Sequence, residues 1–419
     1  MKKFTFFLLL FFPLFCFAQK NFAKTSVKNG NLPAAAQVNT ARQAPLQQQT
    51  ISYQQTNTVP VQKEKVQTAP VYKQAPQQKP LAYQDQRQNF KPAEKVFPGK
   101  TQDQKENKPT PAKPVLPPAK PGNYKVVYWT DFIDTQTPKE KDWATKLLDT
   151  KKLSLDGRGV QVAVLDSGIK THPQFNGANI EVLDITGQNN PVDFCGHGTA
   201  VAGIIVGKRA NDFSGLAPAV SLKSYKIADE SGTTNNNYII SALNSILEYN
   251  RQYPNNKISI VNISYGLAQD NFELKNKLAE VYSSGVSIIS AGGNDGMQGL
   301  LYPAAYDFVF AAGSINKDKT VSDFSNWGQN LDFVLPGSGL MTLGLDNDYV
   351  WVKGTSFSSA YLTGIAALAT QAFKNKYGRL PSPQELYEVL QKISTPVRNT
   401  PKIKQGYGLP DASKIVSYI

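Results

Sequence analysis

The stretch VQVAVLDSGIKTHP, residues 160–173, decides the fold. Its first part, Val160–Leu165, is an apolar run rather than an alternating one, the mark of a strand buried on both faces. Asp166 follows directly, at the carboxyl end of that strand. In open α/β sheets, reactive groups collect at the carboxyl ends of the strands. A carboxylate there is either structural or functional, and the residues alone leave both readings open.

Working outward, the same strand pattern recurs at Val220–Ile227, Ile258–Ile263 and Val286–Ala291, and more weakly at Phe308–Ala312. Helical patterns lie between them. Tyr238–Tyr249 carries Ile239, Ile240, Leu243, Ile246 and Leu247 on one side. Phe272–Ser284 carries Leu274, Leu278 and Val281 and stops at Gly285, a natural C-terminal cap. Ser382-Pro383-Gln384-Glu385 has the form of a capping box with Pro at the first helical position. Alternating strands and helices over residues 122–419 predict an α/β domain with a mostly parallel central sheet and helices on both faces.

The remaining part of the chain reads differently. Of the formal net charge of +13, residues 1–120 supply all of it, with 18 Lys/Arg against 5 Asp/Glu. The rest of the chain has 27 of each sign and is formally neutral, which excludes a uniformly basic globular protein. Residues 1–18 have a positive start (Lys2, Lys3), an apolar run from Phe4 to Phe17 and a small residue at Ala18. The run is too short to span a bilayer, and the pattern predicts a signal peptide cleaved after Ala18, hence a secreted or periplasmic protein. Residues 19–121 contain 18 Gln and 14 Pro without apolar periodicity and predict a disordered basic spacer. It suits a tether, or adhesion to an anionic cell-envelope surface. No aromatic-basic module supports specific nucleic-acid binding. With the signal removed, Cys195 is the only cysteine, which excludes an intramolecular disulfide.

Two further segments carry chemistry. His197 lies in DFCGHGTAVAGII, flanked by Gly196 and Gly198 at the start of an apolar helix. Ser356 lies in GTSFSSAYLTGIAAL, where Gly354 and Thr355 turn the chain into a long apolar helix. A serine at that place is ordinarily a cap, but the positive end of a helix also suits a nucleophile.

In the order Asp, His, Ser, these three segments together resemble the subtilisin-like serine proteases, over about residues 143–416. The resemblance implies a three-layer subtilisin-like fold. It also implies that Ser356 attacks the scissile carbonyl, that His197 takes and returns the proton, and that Asp166 orients His197. GVSIISAGGNDG, residues 285–296, resembles the family's oxyanion segment, with Asn294 at the amide-bearing position. Ser264, Tyr265 and Gly266 resemble the strand that pairs with an extended substrate, and Ala291, Gly292 and Gly293 a wall of the primary specificity pocket, as do Tyr302-Pro303-Ala304. Asp295 stands at the rim of that wall, as a solvated turn charge or a group favouring basic side chains. Some positions depart from the pattern. Ala360 through Thr363 replace the usual Pro-His-Val-Ala, and Ala200 stands where many members have His. These positions shape packing and supply no protons.

The function expected is therefore that of a monomeric endopeptidase acting on polypeptides through an acyl-enzyme. The alternatives are a catalytically silent member that binds peptides or envelope partners in the same groove, and an adhesion protein whose active part is the spacer. No cofactor is required for the chemistry and no metal ligands stand out. Structural calcium, frequent in such proteases, stays unassigned. Cys195, two residues before His197, is expected to let bulky thiol reagents block the imidazole.

Overall fold

The computed structural model describes residues 132–134, 140–148, 150, 153–208, 213–230 and 232–419. The signal and spacer expectations fall outside them. A seven-stranded, all-parallel sheet forms the middle layer. In chain order its strands are β1 (Gln161–Asp166), β2 (Asn179–Asp184), β3 (Ser221–Lys226), β4 (Ile258–Ile263), β5 (Ser287–Ala291), β6 (Phe310–Ile315) and β7 (Phe333–Pro336). Their spatial order is β2-β3-β1-β4-β5-β6-β7. The sequence changes direction around β1, which is flanked by β3 and β4. Such a reversal opens a crevice at the carboxyl ends of the strands, and Asp166 ends β1 there.

The apolar run of β1 covers both faces, as its composition predicts. Val162 and Val164 belong to one hydrophobic cluster, Ala163 and Leu165 to the other. In β5, Ile288 and Ile289 divide between the clusters in the same way. One face is covered by α3 (Asn236–Gln252) and α4 (Phe272–Ser283), the other by α2 (His197–Val206) and the long α5 (Thr355–Tyr377). Helix α1 (Trp143–Leu148) and α6 (Pro383–Ile393) pack around α5 in the cluster that holds Val162 and Val164. Ser382 and Glu385 form both halves of the predicted capping box on α6, and Gly285 takes φ +92 just past α4.

An antiparallel hairpin, β8 (Leu340–Leu343) and β9 (Tyr349–Val352), leads into the start of α5. The isolated segment 132–134 lies beside β9, with an antiparallel bridge between Ile133 and Val352.

Candidate active site

Asp166 and His197 meet at the crevice. Asp166 is fully buried, and its Oδ1 lies 2.8 Å from His197 Nδ1. The same oxygen accepts from the Ser167 backbone N–H at 2.8 Å and from its hydroxyl at 3.3 Å. His197 is the first residue of α2 and only 1% exposed. Its position is possible because Gly196, with φ +88, caps the helix in the left-handed region that an L side chain resists.

No side chain of Gly196 can satisfy the free N–H groups of α2, and Asp193 does so instead. Its Oδ1 accepts from the Cys195 and Gly196 N–H groups at 3.1 and 2.8 Å, and its Oδ2 from the Thr199 N–H and hydroxyl at 2.9 and 2.7 Å. The Ser167 hydroxyl links the two carboxylates, lying 2.9 Å from Asp193 Oδ1 while accepting from the Gly198 N–H at 2.8 Å. Burial pushes the Asp193 carboxyl above the usual carboxylate range, despite the hydrogen bonds from Thr199 and Gly196 that favour its charge. Sequence reasoning missed this residue; the signal for it was an acidic side chain four positions before the histidine.

Ser356 stands in the first turn of α5, 7% exposed. Gly354, with φ +140, precedes the helix. Phe357, next to Ser356, brings its ring to 5.4 Å from the His197 ring, so the start of α5 abuts the imidazole. The Ser356 carbonyl accepts from the Ser359 hydroxyl at 2.7 Å and the Ser264 hydroxyl at 3.4 Å, which ties the helix to the end of β4.

Asn294 is fixed by its oxygen. Its Oδ1 accepts from the Thr355 N–H at 2.8 Å and the Thr355 hydroxyl at 2.9 Å. The amide orientation is thereby set, with Nδ2 left to donate on the side of Gly354, where it lies 3.5 Å from an ideal Cβ position. Thr355 was not legible as a functional residue, because its role is to hold another side chain.

Of the remaining predicted residues, Gly266, Gly292 and Gly293 lie around Leu301. Tyr265 buries its ring and donates through Oη to Asn236 Oδ1 at 2.9 Å, so only its backbone is available to a ligand. Gly292 accepts the Leu301 N–H at 3.0 Å, and Leu267 and Tyr302 exchange backbone bonds of 2.7 and 2.8 Å. A Cβ at Gly266 would meet Leu301 Cδ1 at 2.6 Å, and one at Gly293 would meet Leu301 Cγ at 2.9 Å. The Leu301 side chain thus lies between the predicted substrate-pairing strand and the predicted pocket wall at Gly293. Asp295 is exposed and reaches the Asn326 amide at 3.3 Å, on a turn that the Asn326 oxygen also holds through the Asp295 N–H at 2.8 Å.

Cys195 packs at the edge of the cluster under α3 and α4. Burial pushes its thiol well above the ordinary range, with the Asp193 charge adding to it. Among the described residues, no group of three or more His, Cys, Asp or Glu is placed to hold a metal ion.

The sequence model of the subtilase family matches residues 157–408, the segment that carries all of these groups. The chain belongs to the subtilase family. This subtilase is 32% identical over 265 residues to an intracellular serine protease of Paenibacillus polymyxa, an alignment covering 60% of this chain and 79% of the relative. It is 31% identical to the major intracellular serine protease of Bacillus subtilis, over 58% and 77% of the two chains. Subtilisin Savinase of Lederbergia lenta is 33% identical, over 52% and 78%. The subtilase is accordingly an enzyme of the serine protease class, with the three-layer fold predicted.

Proposed function

We propose that this subtilase is an exported endopeptidase that hydrolyses polypeptides through an acyl-enzyme on Ser356. The observation that carries the reading is the buried 2.8 Å pair of Asp166 and His197, set against the first turn of α5. Asp166 Oδ1 accepts from Nδ1–H, which leaves Nε2 as the basic nitrogen of the neutral ring. Nε2 takes the Ser356 proton as Oγ attacks the carbonyl carbon. The imidazolium that forms is stabilised by the Asp166 carboxylate and then protonates the leaving amine. A water molecule activated by the same nitrogen releases the acid. Asn294 Nδ2 and the Ser356 backbone N–H donate to the tetrahedral oxyanion, aided by the positive end of α5.

Ser264–Gly266 hold the acyl half of the substrate by main-chain pairing, and Ala291–Gly293 line its primary side-chain pocket. Leu301 narrows that pocket between Gly266 and Gly293, which favours small side chains before the cut.

The proposed chemistry draws on no cofactor, since these side chains supply nucleophile, base and oxyanion donors. A structural calcium remains a separate proposal, tested by the change in melting temperature on chelation. Export rests on residues 1–18, and retention near an anionic envelope polymer on the basic residues 19–121. Two relatives are named intracellular, so amino-terminal sequencing of the protein recovered from culture medium tests export directly. No helix among the described residues is long and apolar enough to cross a membrane.

Proteolysis itself is tested on an unstructured protein such as casein. Wild type should digest it and Ser356→Ala should not. Equal digestion by both would refute the assignment.

A further inference from the structure

The segment 132–134 runs beside β9 and brings Phe132 against the His197 ring. The Lys353 N–H donates to the Phe132 carbonyl at 2.8 Å, and the Asp134 N–H to the Trp351 carbonyl at 2.8 Å. These bonds make the segment an antiparallel neighbour of β9. The chain of β9 runs through Lys353 and Gly354 straight to Ser356. An antiparallel neighbour, followed toward its amino end, therefore approaches Ser356 too, and Phe132 is its nearest described residue.

The Phe132 ring meets the His197 ring edge-on, with centroids 5.3 Å apart and planes at 84°, and lies 6.1 Å from the Phe357 ring. Gly339 anchors the other end. Its N–H donates to Asp134 Oδ2 at 2.9 Å, while its carbonyl accepts from Trp143 Nε1 at 2.8 Å.

The chemistry says which half of the cleft this is. His197 delivers its proton to the departing amine, so the leaving half of a substrate must lie beside the imidazole. Phe132 stands beside the imidazole, bonded through its carbonyl to Lys353. Its main chain makes with β9 the kind of bonds that a bound peptide strand makes with a sheet edge.

We propose that residues 132–134 are a built-in strap that occupies the leaving-group half of the cleft, so that peptides extending past the cut enter only when the strap lifts. The proposal rests on the reading of His197 and Ser356 given above. Because the strap is tethered, it competes as an intramolecular ligand, at an effective concentration on the order of millimolar. A site free about one-tenth of the time shows about tenfold weaker apparent affinity. Reagents that need no room on the leaving side escape this restriction.

The test uses the full chain as wild type, Phe132→Ala and Asp134→Ala, with two readouts. One is the rate at which a small alkyl fluorophosphonate labels Ser356, where the departing group is only fluoride. The other is kcat/KM on an internally quenched peptide with at least four residues on each side of the cut. The ratio of peptide cleavage to labelling should rise about tenfold in Phe132→Ala and severalfold in Asp134→Ala, which loosens the strap away from His197. A ratio within twofold of wild type in both variants overturns the proposal. So does a parallel fall of both readouts, which would make Phe132 a prop for the imidazole. Absence of labelling in wild type and both variants would instead remove the proteolytic reading, and the strap with it.

Discussion

In the proposed mechanism Asn294 acts through a single donor, Nδ2, which the two bonds from Thr355 to its Oδ1 keep aimed. Replacing Asn294 by Ala removes Nδ2 from the oxyanion and should lower kcat about 10²–10³-fold, about 2.7–4 kcal/mol of transition-state stabilisation. KM should change little, because the ground-state carbonyl oxygen is not the position the donor serves. Thr355→Val extends the argument. It deletes the hydroxyl that donates to Asn294 Oδ1 at 2.9 Å and accepts from the Gly293 N–H at 3.2 Å, but keeps the Thr355 N–H bond of 2.8 Å. Losing one such bond costs about 0.5–1.5 kcal/mol, or roughly two- to tenfold in kcat. If Thr355 works only by aiming Asn294, the double variant should be no slower than Asn294→Ala alone. Steady-state kinetics on one peptide substrate, run on all four proteins as a double-mutant cycle, measures this. Strict additivity of the two losses, or an Asn294→Ala effect confined to KM, would refute the reasoning.

Leu301→Ala should open the primary pocket, raising kcat/KM for peptides with Leu or Phe before the cut by about 10–200-fold relative to Ala; an unchanged preference in a peptide-library profile would place the pocket elsewhere. Thiol modification of Cys195 should be slow near neutral pH and accelerate only in strongly alkaline solution, because burial disfavours the thiolate; rapid alkylation at pH 7 would contradict this, and full activity after complete modification would remove the link to His197. Burial raises the Asp332 carboxyl to about 7, although the Tyr387 hydroxyl and the Ala311 N–H donate to it. The folded state then holds that proton more tightly than the unfolded chain, so its contribution favours folding at low pH and fades as pH rises through 7. Asp332→Asn should therefore gain melting temperature relative to wild type between pH 5 and pH 8, and a difference independent of pH would contradict the assignment.

The strands most legible in the sequence combine uniform burial with a long apolar run; β7, equally buried but only the four residues FVLP, carries no such signal. β1, β4 and β5 are buried throughout, so their apolar runs declare them without reference to any partner. β2, at the sheet's edge, has no fully buried residue, and its sequence NIEVLD holds no apolar run to mark it. The weak expectation at Phe308–Ala312 begins two residues early, because Phe308 stacks on Tyr306 in the preceding loop before β6 starts at Phe310. At the site, Asp166, His197 and Ser356 each sit in a local pattern of glycines and apolar helix or strand, which is what made them visible. Asp193 and Thr355 were not visible, since each is marked only by hydrogen bonds to other residues of the candidate site. Phe132 was beyond reach altogether. Its contact with His197 crosses 65 positions and its pairing with Lys353 crosses 221, and nothing in either local sequence marks them.

The central claim is that Ser356 is a nucleophile activated by His197. Labelling the folded protein with a fluorophosphonate, followed by peptide mapping, tests it most directly. The account predicts one adduct, on the peptide containing Ser356, absent from Ser356→Ala and strongly reduced in His197→Ala. A folded wild-type protein that takes up no probe, or takes it up equally in Ser356→Ala, would contradict it.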